Sequence, residues 1–201
     1  MAEEILGNCC AALLCISVVL TTVILLFCEP LLMAFGASAD TIGYGTGYLR
    51  IYAAGTIFVQ IVMGLNMFIT SQGFAQVGMK TTIIGAVCNI VLDPVFIFLF
   101  DMGVQGAAFA TLLSRILEFI ITISYALTNR RFRMKPALMI RPGKILIQKF
   151  IRYSGPVVLN ETLWGIGASM YKVVMGHMEG STEILAARAL AGNVEDLCTV
   201  I

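Results

Sequence analysis

Asn89, Asp93 and Pro94 lie within a stretch, Thr81 to Phe100, that otherwise has the apolar content of a lipid-buried segment. A charged aspartate at the centre of a membrane helix costs about 2.5–3.5 kcal/mol on insertion scales, so its presence there points to a chemical use. Asn89 precedes Asp93 by four residues, which on a helix places both side chains on one face about a turn apart. The amide can then hydrogen-bond the carboxyl or share a bound cation with it. Pro94 removes one amide donor and clashes with the preceding turn, freeing the carbonyl of Ile90 beside Asn89. Carboxylate, amide and loosened carbonyl supply oxygen ligands for a hard cation such as Na+. The same carboxyl can carry a proton instead. The bland alternative is an aspartic acid held neutral as a hydrogen-bond anchor between helices.

A second pair of intramembrane charges, Arg115 and Glu118, is spaced by three and so falls on one helical face, where the two neutralise each other. Their mutual satisfaction favours a structural ion pair over a relay.

These residues need helices to hold them in a bilayer. The chain has 201 residues, 59% hydrophobic and 12% charged, with a mean hydropathy of +0.91, which excludes an ordinary soluble domain and marks a polytopic membrane protein. A spanning helix needs about 20 largely apolar residues. Five intervals qualify: Ile5–Cys28, Ile51–Met79, Thr81–Phe100, Gly103–Leu127 and Tyr153–Met175, the last carrying Glu161 and Lys172. A sixth helix is expected to begin near Leu185 and to stop before it could cross. The expected fold is therefore all-α: a polytopic bundle of about five complete spans plus a truncated sixth.

Eight of the thirteen basic residues lie between Arg130 and Arg152, without one acid. By the positive-inside rule that loop is cytoplasmic, which puts the Gly73–Lys80 turn inside and the mildly acidic segments Glu29–Tyr48, Asp101–Gly103 and Glu179–Glu183 outside. Pro136, Pro142 and Gly143 make the loop a linker. Residues 1–129, 130–152 and 153–201 are accordingly expected as a first set of helices, a basic loop and a second set.

The net charge of +1 gives no reason to expect nucleic acid as a partner. The six cysteines lack the spacing of a zinc site or a secreted disulfide framework and read as packing residues. Glu3 and Glu4 stand where a signal peptide would carry its basic region, so no cleavable leader is expected. "GFAQVGMKT" at 73–81 approaches a phosphate-loop pattern, but Met79 intervenes between Gly78 and Lys80 and no strand precedes it, so no nucleotide is expected. His177, between Met175 and Met178, is one histidine at a helix end and reads as incidental. The small residues from Gly103 to Ala110 allow close helix contact in lipid.

Asn66, "Asn89-x-x-x-Asp93-Pro94" and "GVQGAAFATLLSR" at 103–115 with Thr111, together with "YLRIY" at 48–52, "NMFITSQG" at 66–73 and "GPVVLNETLWGIG" at 155–167, resemble the multidrug and toxic compound extrusion (MATE) transporters. The resemblance runs over nearly the whole chain and implies a fragment, from about helix three to helix eight of a two-lobe, twelve-helix antiporter in the cell membrane. It implies that Asp93, Asn89, Asn66 and Thr111 line the cation site of the amino-terminal lobe, completed by an acidic residue on a helix this chain does not contain. Residues 1–129 would then be helices three to six, 130–152 the inter-lobe loop, and 153–201 helix seven and the start of helix eight. Glu161, with Asn160 beside it, would be an ion or cationic-substrate residue of the second lobe. Trp164 and Tyr171 could offer aromatic faces to cationic drugs, with packing as the alternative, and Gln60 and Met63 are further cavity candidates. Ser71 departs from many relatives, which carry a basic residue there.

The activity implied is efflux of small organic, chiefly cationic, compounds in exchange for Na+ or H+, with no cofactor, and with the lipid bilayer and the remaining transporter helices as partners. An alternative is a lipid-linked precursor flippase of the same superfamily, which would need a basic cavity. An intramembrane aspartyl hydrolase would need a second Asp facing Asp93, and none is found. A non-transporting assembly subunit is the remaining alternative.

Overall fold

The computed structural model describes residues 2–38, 41–128, 144–178 and 180–199. Among them every regular element is helical: α1 (Ala2–Leu26), α2 (Cys28–Ala34), α3 (Ile42–Ser71), α4 (Ala75–Pro94), a π-helical turn at Val95–Leu99, α5 (Gly103–Thr128), α6 (Lys144–Gly176) and α7 (Ser181–Thr199). Four described segments are long and apolar enough to cross a membrane: Leu6–Leu26, Ile42–Ser71, Ala75–Leu99 and Gly103–Thr128. The fifth expected span is helical throughout, within the 33 residues of α6, but its composition leaves it outside those four.

Several boundaries move. Charge-free intervals place the second span at Ile51–Met79, whereas α3 begins at Ile42, passes through Arg50 and ends at Ser71. The stop is a C-terminal cap that Gly73 builds at a φ of +87°. Gly73 N–H donates to the Thr70 carbonyl at 3.0 Å and Phe74 N–H to the Ile69 carbonyl at 3.1 Å, the paired bonds of a Schellman motif. Phe74 then packs into the cluster that contains Ile69. The outer segment expected at Glu29–Tyr48 contains α2 and the start of α3, and α7 begins at Ser181 rather than near Leu185. The last nine residues of the expected basic loop, 144–152, are helical; the rest of it, with Pro136, Pro142 and Gly143, lies outside the described residues.

The chain divides into two compact units, Met1–Cys28 with Thr46–Gln148, and Glu29–Gly45 with Lys149–Ile201. In the first, Leu6 and Cys10 of α1, Ile61, Leu65 and Ile69 of α3 and Ala126 of α5 form a buried cluster. Phe58 meets Phe119 edge-to-face at 5.3 Å beside it. Lipid tails are as apolar as leucine, so close packing and polar contacts hold such helices together. Ala53, Gly55, Ala108 and Ala110 are accordingly buried, letting α3 and α5 approach until Gly55 meets Leu112. The outward stripes, such as Leu113, Leu117 and Ile120 on α5, are exposed and apolar. In the second unit the backbones of Gly36 and Gly176 touch, a contact no Cβ would permit. Cys9, Cys10, Cys15, Cys28 and Cys88 are free thiols.

Candidate functional site

Pro94 is the last residue of α4, and the chain continues as the π turn Val95–Leu99 rather than as α-helix. The missing proline amide explains why the ladder changes register here. Val95 N–H turns to the Leu92 carbonyl and Phe100 N–H to that of Val95. Gly106 of α5 packs directly on the π turn, its backbone against the carbonyl of Phe96. Asp93 is thus held one residue before a break whose position is fixed from both sides.

The Asn89 amide donates to Asp93 Oδ1 at 3.2 Å, the contact expected from their spacing, and to Thr111 Oγ1 on α5 at 3.4 Å. All three residues are half-buried. The amide therefore joins one carboxylate oxygen to a hydroxyl on the neighbouring helix. Such a set can hold a proton or present oxygens to a small cation. Tyr48 of α3 lies close to the group, near enough to Thr111 and Asp93 to interact with both electrostatically. Sequence reading missed it. The available signal was a tyrosine pair, Tyr48 and Tyr52, one turn apart and stacked at 6.0 Å on α3.

Asn66 sits elsewhere. Its amide Nδ2 approaches Glu118 Oε1 at 3.5 Å, and its Oδ1 accepts the Thr81 hydroxyl at 3.2 Å. Glu118 also accepts the Thr82 hydroxyl at 3.4 Å on Oε1 and the Arg115 guanidinium at 2.7 Å on Oε2. The Arg115–Glu118 ion pair is present, and it is the centre of a polar cluster linking α3, α4 and α5. Seven residues of α5 separate Thr111 from Glu118, and seven of α4 separate Asn89 from Thr82, an offset of about 10 Å along each helix. Two polar clusters thus occupy one α4–α5 seam, and the expected foursome is divided between them.

The remaining candidates are spread out. Met63 is 63% exposed, whereas Gln60 Oε1 is buried with no hydrogen-bond partner among the described residues. Asn160 and Glu161 are exposed on α6. Trp164, 74% exposed, lines a cavity of about 690 Å³ in the second unit with Tyr171, Lys172 and Arg188. The imidazole of His177 is hydrogen-bonded to the Val173 carbonyl, and among the described residues no group of three or more histidine, cysteine, aspartate or glutamate side chains could hold a metal. Residues 73–81 form the α3–α4 turn and the first turns of α4.

Apolar spans of membrane-crossing length and polar clusters confined to their contact seam define the class: a polytopic helical membrane protein. Residues 1–95 match the MatE family model. The chain is 28% identical over 138 residues to the multidrug export protein MepA of Staphylococcus saprophyticus, covering 69% of this chain and 31% of that protein. It is 25% identical over 162 residues to MepA of Staphylococcus aureus strain NCTC 8325, covering 81% and 36%. Among solved structures, a MOP superfamily transporter from Pyrococcus furiosus, described as having a binding pocket of reversed polarity that suggests a different function, matches with a TM-score of 0.80 at 24% identity, over 97% of this chain and 43% of that one. An outward-facing multidrug resistance MATE transporter matches at 0.75 and 23% identity, over 98% and 48%. These structural likenesses show the fold.

This chain is thus similar to one part of a MATE-family transporter. It spans about a third of the length of the curated relatives it matches.

Proposed function

We propose that the chain contributes to secondary active efflux of organic cations across the cell membrane of a bacterium, in exchange for Na+ or H+ and without a cofactor. The observation that carries this reading is the Asn89 amide, bonded to both Asp93 Oδ1 and Thr111 Oγ1 across the α4–α5 seam. An ion or proton arriving at Asp93 competes for that amide and so alters the link between the two helices. Coupling follows if ion and organic substrate favour different packings of the seam, since a ligand that binds both states equally shifts neither. Asn66 then acts through Glu118 rather than as a direct ligand of the Asp93 site. Glu161, Asn160, Trp164, Gln60 and Met63 are carried as substrate-side residues.

The second reading, export of a lipid-linked anion, is favoured by the charge of one cavity. Lys172 and Arg188 line the aromatic cavity of the second unit, and the P. furiosus neighbour is described as having reversed pocket polarity. The test is dye efflux from right-side-out vesicles of cells expressing the gene, under separately imposed Na+ and proton gradients, with Asp93→Asn beside the parent. Loss of gradient-driven efflux in the variant, at equal membrane abundance, is expected. Undiminished efflux would refute a coupling role for Asp93.

A further inference from the structure

Glu118 lies well inside a segment long and apolar enough to cross a membrane, and its side chain is 2% exposed. A carboxylate so placed requires a positive charge close by. Arg115 supplies it at 2.7 Å, but the two carboxylate oxygens are served unequally. Oε2 takes the short guanidinium bond. Among the described residues Oε1 has only the Asn66 amide at 3.5 Å and the Thr82 hydroxyl at 3.4 Å, both beyond the usual hydrogen-bond range. Gly85 keeps the Oε2 side clear, because a Cβ there would stand 3.0 Å from that oxygen.

Thr122, one turn further along α5, is fully buried, and its hydroxyl has no hydrogen-bond partner among the described residues. Helical Ser and Thr ordinarily fall back on the carbonyl four residues earlier, as Ser114, Ser124 and Thr128 do on this same helix. The resident cation also reaches the surface of its helix. Arg115 is 40% exposed, and on α5 it stands about 200° around from Leu113, opposite the apolar stripe of Leu113, Leu117 and Ile120.

We propose that Glu118, Asn66 and Thr82 form a second monovalent-cation site, in which the Arg115 guanidinium is a tethered occupant that alternates with a diffusible ion such as Na+. The ligands are the Glu118 carboxylate, the Thr82 hydroxyl and the Asn66 amide oxygen, which now accepts from Thr81 and turns toward Glu118 when the ion enters, a set a small hard cation takes. Exchange of one unit positive charge for another keeps the buried carboxylate neutralised throughout. It also releases a guanidinium on the side of α5 away from the apolar stripe, where it repels any organic cation nearby. Ion entry at this site thereby opposes binding of a cationic substrate, and the site is independent of the assignment of Asp93.

The 201-residue chain in lipid nanodiscs tests this, with Asp93→Asn in every sample so that the outcome is separate from the Asp93 reading. Retention of 22Na+ and the melting temperature are compared in NaCl and in N-methylglucamine chloride at equal ionic strength. Removing the tethered competitor with Arg115→Gln should raise 22Na+ retention at a fixed subsaturating concentration by about tenfold. It should also make the melting temperature climb with Na+. Both effects should vanish when Glu118→Gln is added, and Arg115→Lys, which keeps a tethered charge, should stay at the parent's retention. Should Arg115→Gln be too unstable to purify without Na+, folded yield is the readout: recovery in NaCl alone supports the site. Unchanged retention in Arg115→Gln, a gain that survives Glu118→Gln, or failure to fold in both salts would overturn it.

Discussion

Gly106→Ala tests whether the π turn after Pro94 is held in place by a backbone contact. The ideal Cβ at residue 106 would stand 2.7 Å from the Phe96 carbonyl oxygen, 2.8 Å from its carbon and 3.1 Å from the Ile97 nitrogen. Even attractive carbon-to-oxygen contacts close at about 3.3 Å, so α5 or the turn must retreat by roughly 0.6 Å. The obstructing atoms are main chain and cannot rotate aside. Overpacking of this kind costs about 1–3 kcal/mol, against which alanine gains about 1 kcal/mol of helix propensity over glycine. Gly165→Ala on α6 is the matched control, since nothing lies within 4 Å of its added Cβ and only the propensity gain applies. The two variants should therefore differ by about 1–3 kcal/mol, with Gly165→Ala the more stable. The assay is loss of helical circular dichroism as the reconstituted chain is titrated with denaturing detergent. A 15N-asparagine label adds a local readout, because a shifted turn moves Asp93 against the Asn89 amide and changes its side-chain resonance. Equal stability of the two variants, with an unaltered Asn89 signal, would refute the claim that this contact positions Asp93.

Asn66→Ala removes the amide that approaches Glu118 and the acceptor of the Thr81 hydroxyl. It should cost about 1–3 kcal/mol in the same detergent titration while leaving the Asn89 side-chain resonance in place; movement of that resonance would return Asn66 to the Asp93 group. Gly73→Ala meets no atom within 4 Å but must hold a φ of +87°, so it should destabilise the α3–α4 turn by about 1–2 kcal/mol, with Gly73→Asn costing less. A thermal melt of the two turn variants beside the parent checks the order.

A charge-free interval was enough to find the α1 span, and the mutually neutralising spacing of Arg115 and Glu118 let the α5 span be read through two charges, because lipid imposes a length that composition can satisfy only one way. They misplaced α3, since one exposed basic residue near a helix end, Arg50, does not break a helix although it breaks a charge-free run. The Gly73 stop was legible only as a glycine. That it terminates α3 rests on Phe74 reaching the Ile69 cluster, a tertiary fact. The Asn89–Asp93 contact was readable because both partners lie on one helix at fixed spacing. Asn66 and Tyr48 were not, because assigning either to a cluster requires the relative height of α3 against α4 and α5. Spacing along one chain carries no information about that height. Glu118 was legible as the partner of Arg115, but its burial and its contacts with Asn66 and Thr82 depend on two other helices.

The division of polar residues along the seam has a mechanical meaning. Helix α3 gives Tyr48 to the group around Asp93 and Asn66 to the group around Glu118, eighteen positions apart on one helix of thirty residues. The hydrogen bonds within α3 make it stiff, so axial sliding of the helix changes both groups together. Helices α4 and α5 supply the remaining polar partners of each group; Gly85 of α4 lies against the Glu118 side chain and Gly106 of α5 against the π turn that continues α4, so a Cβ at either position would force displacement. Sliding within that pair is therefore resisted, while α3 meets the two clusters through side chains that can exchange partners. An ion that alters the amide and hydroxyl contacts at one cluster can act on the other through the position of α3, without a continuous chain of polar residues between them. Each cluster has long contacts that can change partners as α3 moves: 3.4–3.5 Å from Asn66 and Thr82 to Glu118, and 3.4 Å from Asn89 to Thr111.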